Sequence, residues 1–258
     1  MAVSILDQFK LSGQSALVLG GNRGLGIEIC RALSEAGANI AIAARDKEQN
    51  QIAQKTVTDD YPIKCISFEC DVANEAQVNA AVTGTEAEFG KIDILVNSAG
   101  INIRGPIEDI SLADFNKVME VNVSGSWLTC KAVVPIMKKN GYGRIVNIGS
   151  IFSNVSIPDR TAYATSKGAI INLTRAVALE VAKENITVNA MLPGPFATEM
   201  NLPLTNDPVK FREFLSKIPM GRWGELHEIG ALALFLSSPA SSFITGTGMA
   251  IDGGWLAQ

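Results

Sequence analysis

Short apolar runs alternate with longer stretches of helical periodicity along this chain of 258 residues. Each run is a block rich in Val, Ile, Leu and Ala, the pattern of strands buried on both faces of a parallel sheet. Strands are predicted at residues 15–20, 39–43, 63–68, 92–96, 144–149, 187–192 and 249–252. Helices are predicted at residues 24–36, 46–58, 74–89, 111–139, 162–184 and 226–237. This alternation predicts a single α/β domain over residues 1–258, with a doubly wound parallel sheet of seven strands and helices on both faces.

Composition excludes several classes of function. The formal net charge is −4, and no basic patch indicates a nucleic-acid partner or a membrane surface. No apolar run reaches the roughly 18 residues of a membrane-spanning helix. The four cysteines have no CxxC spacing, and His227 is the single histidine, so no metal site is predicted. Such cysteines are typical of small buried residues in a reducing cytosol, and a cytoplasmic location is expected.

Residues 194–220 form the one irregular region of the sequence. Four prolines interrupt it, and a short helix is predicted around residues 208–217. A long connection of this kind after a strand is a candidate substrate lid, and the alternative is a passive surface excursion.

A glycine-rich turn joins the first predicted strand to the first predicted helix. It reads Gly20-Gly21-Asn22-Arg23-Gly24-Leu25-Gly26. Glycines at this place let a pyrophosphate approach the backbone at the positive end of a helix dipole.

Tyr163 and Lys167 are spaced i, i+4 in a predicted helix, so their side chains share one face. A free tyrosine has a pKa of roughly 10, and a neighbouring ammonium group lowers that pKa toward neutrality. Ser150 ends a predicted buried strand, where its hydroxyl suits the oxygen of a carbonyl or an alcohol. Alone, a YxxxK pattern is more often a solvated helix face, so its meaning depends on the other motifs.

Taken together, these motifs resemble the short-chain dehydrogenase/reductase family over essentially the whole chain. Leu19, Ser98 and Ser153 depart from the family pattern, in which Thr, Asn and often Gly are usual. The resemblance implies a Rossmann-type fold, and a catalytic set of Asn122, Ser150, Tyr163 and Lys167. The cofactor-binding residues expected from the motifs and from the turn are Gly20, Asn22, Arg23, Gly24, Leu25, Gly26, Arg45, Asp71, Val72, Asn97, Ala99, Gly100, Tyr163, Lys167, Pro193, Gly194 and Thr198.

The end of the second predicted strand favours NADP(H) over NAD(H). An acidic residue that binds a ribose 2′-hydroxyl is expected there, but Ala44 occupies the position. Arg45 and Arg23 lie where a 2′-phosphate would arrive, and a guanidinium binds phosphate bidentately. Asp46 follows directly and is interpreted as a helix cap.

The sequence therefore predicts an NADP(H)-dependent oxidoreductase that interconverts a ketone and a secondary alcohol, a carbonyl reductase of polyol or keto-sugar type. The enzymatic alternative is a 3-oxoacyl-[acyl-carrier-protein] reductase, and the alternative from another class is a non-catalytic NADP(H)-sensing protein. By resemblance, Tyr163 transfers the proton on oxygen, Ser150 holds that oxygen, and Lys167 tunes the tyrosine and binds the nicotinamide ribose. Asn122 is expected to support a water relay to Lys167.

The partner is expected to be a small ketone or alcohol, bound between three loops. Two walls are predicted to be polar: residues 101–108 with Asn102 and Arg104, and residues 151–159 with Ser153, Asn154 and Ser156. The third wall, residues 195–204, carries Phe196, Met200 and Leu202. The resemblance also implies a homotetramer formed through the helices at 111–139 and 162–184 and the last strand.

Overall fold

The computed structural model describes residues 4–198 and 207–258. Seven strands form one parallel sheet in the order β3-β2-β1-β4-β5-β6-β7. The predicted doubly wound sheet is thereby confirmed. The strands are β1 (Ser15–Leu19), β2 (Asn39–Ala44), β3 (Cys65–Glu69), β4 (Ile94–Asn97), β5 (Gly143–Ile148), β6 (Ile186–Pro193) and β7 (Gly248–Ile251).

Helices cover both faces of this sheet, and most of them begin and end within a few residues of their predicted bounds. The last predicted helix, at residues 226–237, has the predicted bounds. The helices are α1 (Gly24–Glu35), α2 (Lys47–Asp60), α3 (Glu75–Phe89), α4 (Leu112–Met119), α5 (Gly125–Asn140), α6 (Thr161–Val181), α7 (Pro208–Ser216) and α8 (Leu226–Ser237).

The helix predicted at residues 111–139 is interrupted by a π-helical turn, Glu120–Ser124, between α4 and α5. Such turns insert an extra residue into a helix and are common at functional sites. Asn122 lies in the middle of the turn, and its carbonyl accepts a hydrogen bond from the Ser126 hydroxyl at 3.0 Å. The apolar periodicity of the sequence does not show this π-helical turn, which is why one continuous helix was predicted.

Strand β1 shows why the apolar runs are continuous rather than alternating. Ala16 and Val18 pack with α1 and α8 on one face of the sheet. Leu17 and Leu19 pack with α3 and α5 on the other face. Because both faces are covered, every residue of the strand is buried, and each contributes to one of two cores.

The order of the strands reverses between β1 and β4, which pair side by side. In open α/β sheets, ligands bind in the crevice beyond the carboxyl ends of the strands at this reversal. The glycine-rich turn follows β1, and the loops after β4, β5 and β6 end at the same edge. The fold therefore brings together motifs separated by more than 100 residues.

The irregular region is described only in part. Its predicted short helix is confirmed as α7, Pro208–Ser216. The predicted lid residues 199–206, among them Met200 and Leu202, lie outside the described residues. Within the described residues, no helix has both the length and the apolar character needed to cross a membrane.

Candidate active site

A cavity of about 920 Å³ lies at the carboxyl edge of the sheet. It is lined by every residue predicted for catalysis or cofactor binding except Asn97 and Asn122. Residues that were not predicted also line it, among them Gln49, Cys70, Val121, Arg160 and Trp223. The cavity thus joins a dinucleotide-sized groove near the glycine-rich turn to a pocket beside Tyr163.

The glycine-rich turn packs so closely against the β4 loop that side chains are excluded. Gly20 has φ +74°, and a Cβ placed on it would lie 2.7 Å from the Ala99 nitrogen. A Cβ on Gly26 would collide with the Gly20 carbonyl oxygen. The turn ends at the N-terminus of α1, where unpaired N–H groups and the helix dipole favour an anion. The geometry fits a pyrophosphate.

At the end of β2, Ala44 occupies the position expected for a carboxylate that binds a ribose 2′-hydroxyl, and Asp46, two residues further on, also lines the cavity. Ala44 and Arg45 both line this part, and Arg45 is exposed. Asp46 accepts a hydrogen bond from the Gln49 N–H at 3.0 Å, so the predicted helix cap is confirmed. A capping carboxylate is already engaged with α2, which leaves positive charge at this end of the cavity.

Asn50, which sequence analysis did not select, anchors the adenosine end. Its side chain is buried, and its Nδ2 donates to the carbonyls of Ala44 and Phe68 at 2.8 Å each. Its Oδ1 accepts from Asn22 Nδ2 at 2.8 Å. One amide therefore ties the ends of β2 and β3 to the glycine-rich turn. The sequence could have indicated that Asn50 is buried, because Asn50 shares the apolar face of α2 with Ala53 and Val57.

The prediction that Asn97 contacts the cofactor is wrong for its side chain. Asn97 is 4% exposed and lies behind the cavity. Its Nδ2 donates to Asn147 Oδ1 at 2.9 Å, and its Oδ1 accepts from the Thr129 hydroxyl at 2.6 Å. The side-chain amide is fully engaged in binding β4 to β5 and α5, so its role in these contacts is structural.

Asn122 likewise lies outside the cavity lining, and its amide holds the β4 loop. Its Oδ1 accepts from the Ile101 N–H at 2.8 Å, while its Nδ2 donates to the Ile101 carbonyl and to the Ser166 hydroxyl. A Cβ on Gly100 would lie 3.3 Å from this Oδ1 and 3.7 Å from Lys167 Nζ. Asn122 therefore positions the loop beside Lys167, and the predicted water relay stays a prediction.

Ser150, Tyr163 and Lys167 meet in the pocket as the spacing predicted. The Ser150 side chain hydrogen-bonds to the Tyr163 hydroxyl. Lys167 Nζ lies 5.6 Å from the centre of the Tyr163 ring and donates to the Ile148 carbonyl at 2.6 Å. Burial lowers the pKa of Lys167 to about 8. The set has a proton donor, a hydroxyl partner and an amine on one side of the cavity.

The electrostatics around Tyr163 differ from the predicted picture. Burial raises the pKa of Tyr163, whereas the hydrogen bond with Ser150 and the charges of Arg104 and Arg160 lower it. The net effect is a raised pKa, and the charges that act on the phenol are the two guanidinium groups and not the predicted ammonium group of Lys167. Arg160 was missed in the sequence, because it lies in the loop before α6, where helical spacing does not predict the direction of a side chain.

The second predicted polar wall is wrong. Ser153, Asn154 and Ser156 do not line the cavity, and Ile151 and Phe152 do. The Ser153 hydroxyl instead accepts from the Ser150 N–H at 3.3 Å and donates to the Lys167 carbonyl at 2.8 Å. It thereby links the Ser150 turn to α6, using a side chain that a glycine would lack.

Aromatic residues make up the wall that faces the polar loop. The Phe152 ring meets the Tyr163 ring edge-on at 6.3 Å. Trp223 stacks on Phe211 at 5.5 Å, and Phe214 lies between Trp223 and Trp255. The predicted polar wall at Asn102 and Arg104 does line the cavity. The pocket is therefore amphipathic, because both guanidinium groups and aromatic rings line it.

A family model described as enoyl-(acyl carrier protein) reductase, of the short-chain dehydrogenase type, matches residues 20–256. The chain belongs to the short-chain dehydrogenase/reductase family. This membership makes it an oxidoreductase, and the predicted resemblance is confirmed.

Members of the short-chain dehydrogenase/reductase family similar to this chain include sugar and sugar-acid enzymes. A 2-dehydro-3-deoxy-D-gluconate 5-dehydrogenase from Formosa agariphila is 38% identical over 98% of this chain and 96% of that protein. A galactitol 2-dehydrogenase (L-tagatose-forming) from Cereibacter sphaeroides is 39% identical over 96% of each chain. A crystal structure is known of a gluconate 5-dehydrogenase from Burkholderia cenocepacia in complex with NADP and tartrate. Its sequence is 37% identical to this chain, and the two structures superpose with a TM-score of 0.95 over 99% of this chain and 100% of that chain.

Proposed function

We propose that the protein uses NADP(H) to interconvert a keto sugar acid and the corresponding hydroxy acid. The observation that carries this proposal is Arg104, a half-buried guanidinium that lines the cavity and acts electrostatically on Tyr163. Burial lowers the pKa of Arg104, which means that its charge is poorly solvated there. A carboxylate on the substrate would be attracted by this positive charge in the pocket.

The cavity fits NADP(H) at the adenosine end. Ala44 takes the position of the ribose-binding carboxylate and Asp46 caps α2, while Arg45 and Arg23 line the groove. A 2′-phosphate would accept hydrogen bonds from these guanidinium groups. Asn50 would hold Asn22 and the β2 end in place around it.

The residues of the pocket have distinct parts in the proposed reaction. When bound, the cofactor supplies the hydride that adds to the carbonyl carbon of the substrate. Tyr163 donates a proton to the carbonyl oxygen in reduction and accepts it in oxidation. Ser150 holds that oxygen, and Lys167 binds the ribose and favours the phenolate. Ser153 and Asn122 keep these groups in position, with Asn122 also proposed to support the water relay.

A neutral polyol is the second candidate substrate, because the galactitol 2-dehydrogenase is as similar to this chain as the sugar-acid enzymes are. The charge of the pocket separates the two candidates. A charge-assisted hydrogen bond contributes about 1.5–3 kcal/mol, which corresponds to about 10- to 100-fold in affinity.

We therefore expect kcat/KM with NADPH to be at least about 10-fold higher for a keto sugar acid than for a neutral ketose of equal carbon number. Steady-state kinetics with both compounds and with an acetoacetyl thioester would measure this. A clear preference for the neutral ketose would favour a polyol dehydrogenase. A preference for the thioester would favour a 3-oxoacyl-[acyl-carrier-protein] reductase. No turnover with any of them would favour a sensing protein.

We further propose that residues 1–258 work as one domain in the cytoplasm, with residues 194–220 as a lid on the pocket. Phe196 and Phe214 belong to this segment and Trp223 follows it, and all three line the cavity, which supports a role in covering the substrate. The four cysteines are buried thiols, and burial raises the pKa of each, so all four are unreactive under reducing conditions.

We propose a homotetramer because large apolar side chains are exposed on the surface of the single chain. Phe243 is fully exposed, and Leu179 on α6 is 82% exposed. Trp127 on α5 is half exposed, and β7 is an edge strand with solvent-facing positions. Ile170, by contrast, packs within its own core. Multi-angle light scattering at micromolar concentration should give four times the monomer mass, and a stable monomer would contradict the proposal.

A further inference from the structure

Two loops that carry arginines are joined at the mouth of the pocket. The Asp159 carbonyl accepts hydrogen bonds from the Gly105 N–H at 3.3 Å and from Arg160 Nη1 at 2.8 Å. Arg104 is the neighbour of Gly105, and Arg160 follows Asp159. The contact therefore holds the loop after β4 against the loop before α6, with both guanidinium groups lining one cavity.

Asp159 adopts a left-handed conformation, with φ +64°. This conformation is uncommon for a residue other than glycine, and in a fixed loop it marks a place where the surroundings impose the backbone geometry. Here it directs the carbonyl toward both partner N–H groups. The backbone conformation of this loop therefore determines where Arg160 lies.

Arg160 is a buried cation that forms no salt bridge in the described part of the chain, although the charge of the adjacent Asp159 carboxylate acts on it from a longer distance. It is 7% exposed, and its one side-chain hydrogen bond goes to the neutral Asp159 carbonyl. The other guanidinium nitrogens of Arg160 stay accessible to solvent. Arg160 lines the cavity. A buried charge is costly unless it is closely paired, so an anion bound in the cavity would stabilise Arg160 beyond what the more distant Asp159 carboxylate supplies.

We propose that Arg160 is a specificity-determining residue that binds the carboxylate of the substrate, together with Arg104. This assignment rests on the proposed function, because it names the group that selects the acid over a neutral sugar. Arg160 and Tyr163 line the same cavity, and the charge of Arg160 acts on the phenol, so a carboxylate held by Arg160 would lie in the pocket that contains the proton donor. A planar guanidinium also fixes the orientation of a carboxylate that it binds through two nitrogens.

The test measures the ratio of kcat/KM for a keto sugar acid to kcat/KM for a neutral ketose of equal carbon number, with NADPH. In Arg160→Gln this ratio should fall about 10- to 100-fold, because a charge-assisted hydrogen bond is lost. Turnover of the neutral ketose should fall less than turnover of the acid, since the ketose offers no carboxylate, whereas any change that acts through the pKa of Tyr163 affects both substrates and leaves the ratio unchanged. Arg175→Gln is the matched control, because Arg175 is exposed on α6 and does not line the cavity.

The outcomes separate this proposal from the proposed function. If the unmutated protein shows no preference for the acid, the proposed function fails. If it prefers the acid and Arg160→Gln keeps that preference, only the assignment of Arg160 fails. An equal loss with both substrates would also overturn the assignment, since it would indicate a general effect on the pocket.

The pH profile gives a second readout that a purely structural role would not move. Arg160→Gln removes a positive charge that lowers the pKa of Tyr163, so the apparent pKa of kcat/KM should move upward. Should Arg160→Gln fail to bind NADPH, Arg160→Lys takes its place. It keeps the charge but loses the planar fork, so the acid-to-neutral ratio should still fall while the apparent pKa stays unchanged. An unchanged ratio in a folded Arg160→Lys would overturn the assignment.

Discussion

Replacing Tyr163 by phenylalanine should reduce kcat for ketone reduction by about 10²–10⁴-fold, the usual contribution of a general acid. The variant keeps the ring that meets Phe152 edge-on and loses only the hydroxyl that bonds to Ser150. The shape of the pocket is therefore preserved, and NADPH should bind with nearly unchanged affinity. Stopped-flow or steady-state kinetics would measure kcat, and NADPH fluorescence titration would measure binding.

Tyr61→Phe is a suitable control for this experiment. Tyr61 follows α2, lies outside the cavity lining, and is partly buried, so its substitution tests the general cost of removing a phenol. It should leave kcat unchanged. Near-normal turnover in Tyr163→Phe would refute the assignment of Tyr163 as the proton donor, and a matching loss in Tyr61→Phe would point to a nonspecific effect.

Arg45→Asp should weaken NADPH binding by about 10- to 100-fold, because it removes a charge-assisted hydrogen bond to the 2′-phosphate. The new carboxylate stands at the end of β2, where it can accept a hydrogen bond from a ribose 2′-hydroxyl. NADH binding should therefore be unchanged or improved. The measurement is kcat/KM for both cofactors at a fixed, saturating concentration of the ketone.

Two further variants separate charge from geometry. Arg45→Ala should weaken NADPH without improving NADH, because it supplies no carboxylate. Arg175→Asp introduces the same charge change on an exposed position of α6, away from the cavity, and should leave the cofactor ratio unaltered. Equal kinetics with NADPH and NADH in the unmutated protein would contradict the proposed cofactor preference.

The features that sequence analysis predicted correctly depend on local patterns. The buried run of β1, the glycine-rich turn and the pair Tyr163 and Lys167 all lie within a few residues of one another. Strand and helix periods, together with the conformational freedom of glycine, determine which side such residues face. The order of the motifs along the chain then predicted a doubly wound sheet, because ligand sites in that architecture lie at the carboxyl ends of its strands.

The residues that sequence analysis misplaced depend on contacts between distant segments. Asn97 turns away from the cavity because Asn147 and Thr129 occupy its amide. Ser153 leaves the predicted polar wall because its hydroxyl bridges the Ser150 and α6 backbones. A buried polar group takes the partners that satisfy its hydrogen bonds, and only the packed structure decides which partners are within reach.

The sequence by itself therefore determined the sheet, the position of the dinucleotide groove and the residue types at the reacting centre. Only the tertiary structure decided the charge of the substrate pocket. Arg104 and Arg160 come from loops 56 residues apart that meet at the Asp159 carbonyl, and Trp223 reaches the opposite wall from beyond α7. Short-range periodicity specifies which face a residue occupies within its own element. The meeting of loops depends on how the elements pack, and packing is a property of the whole core.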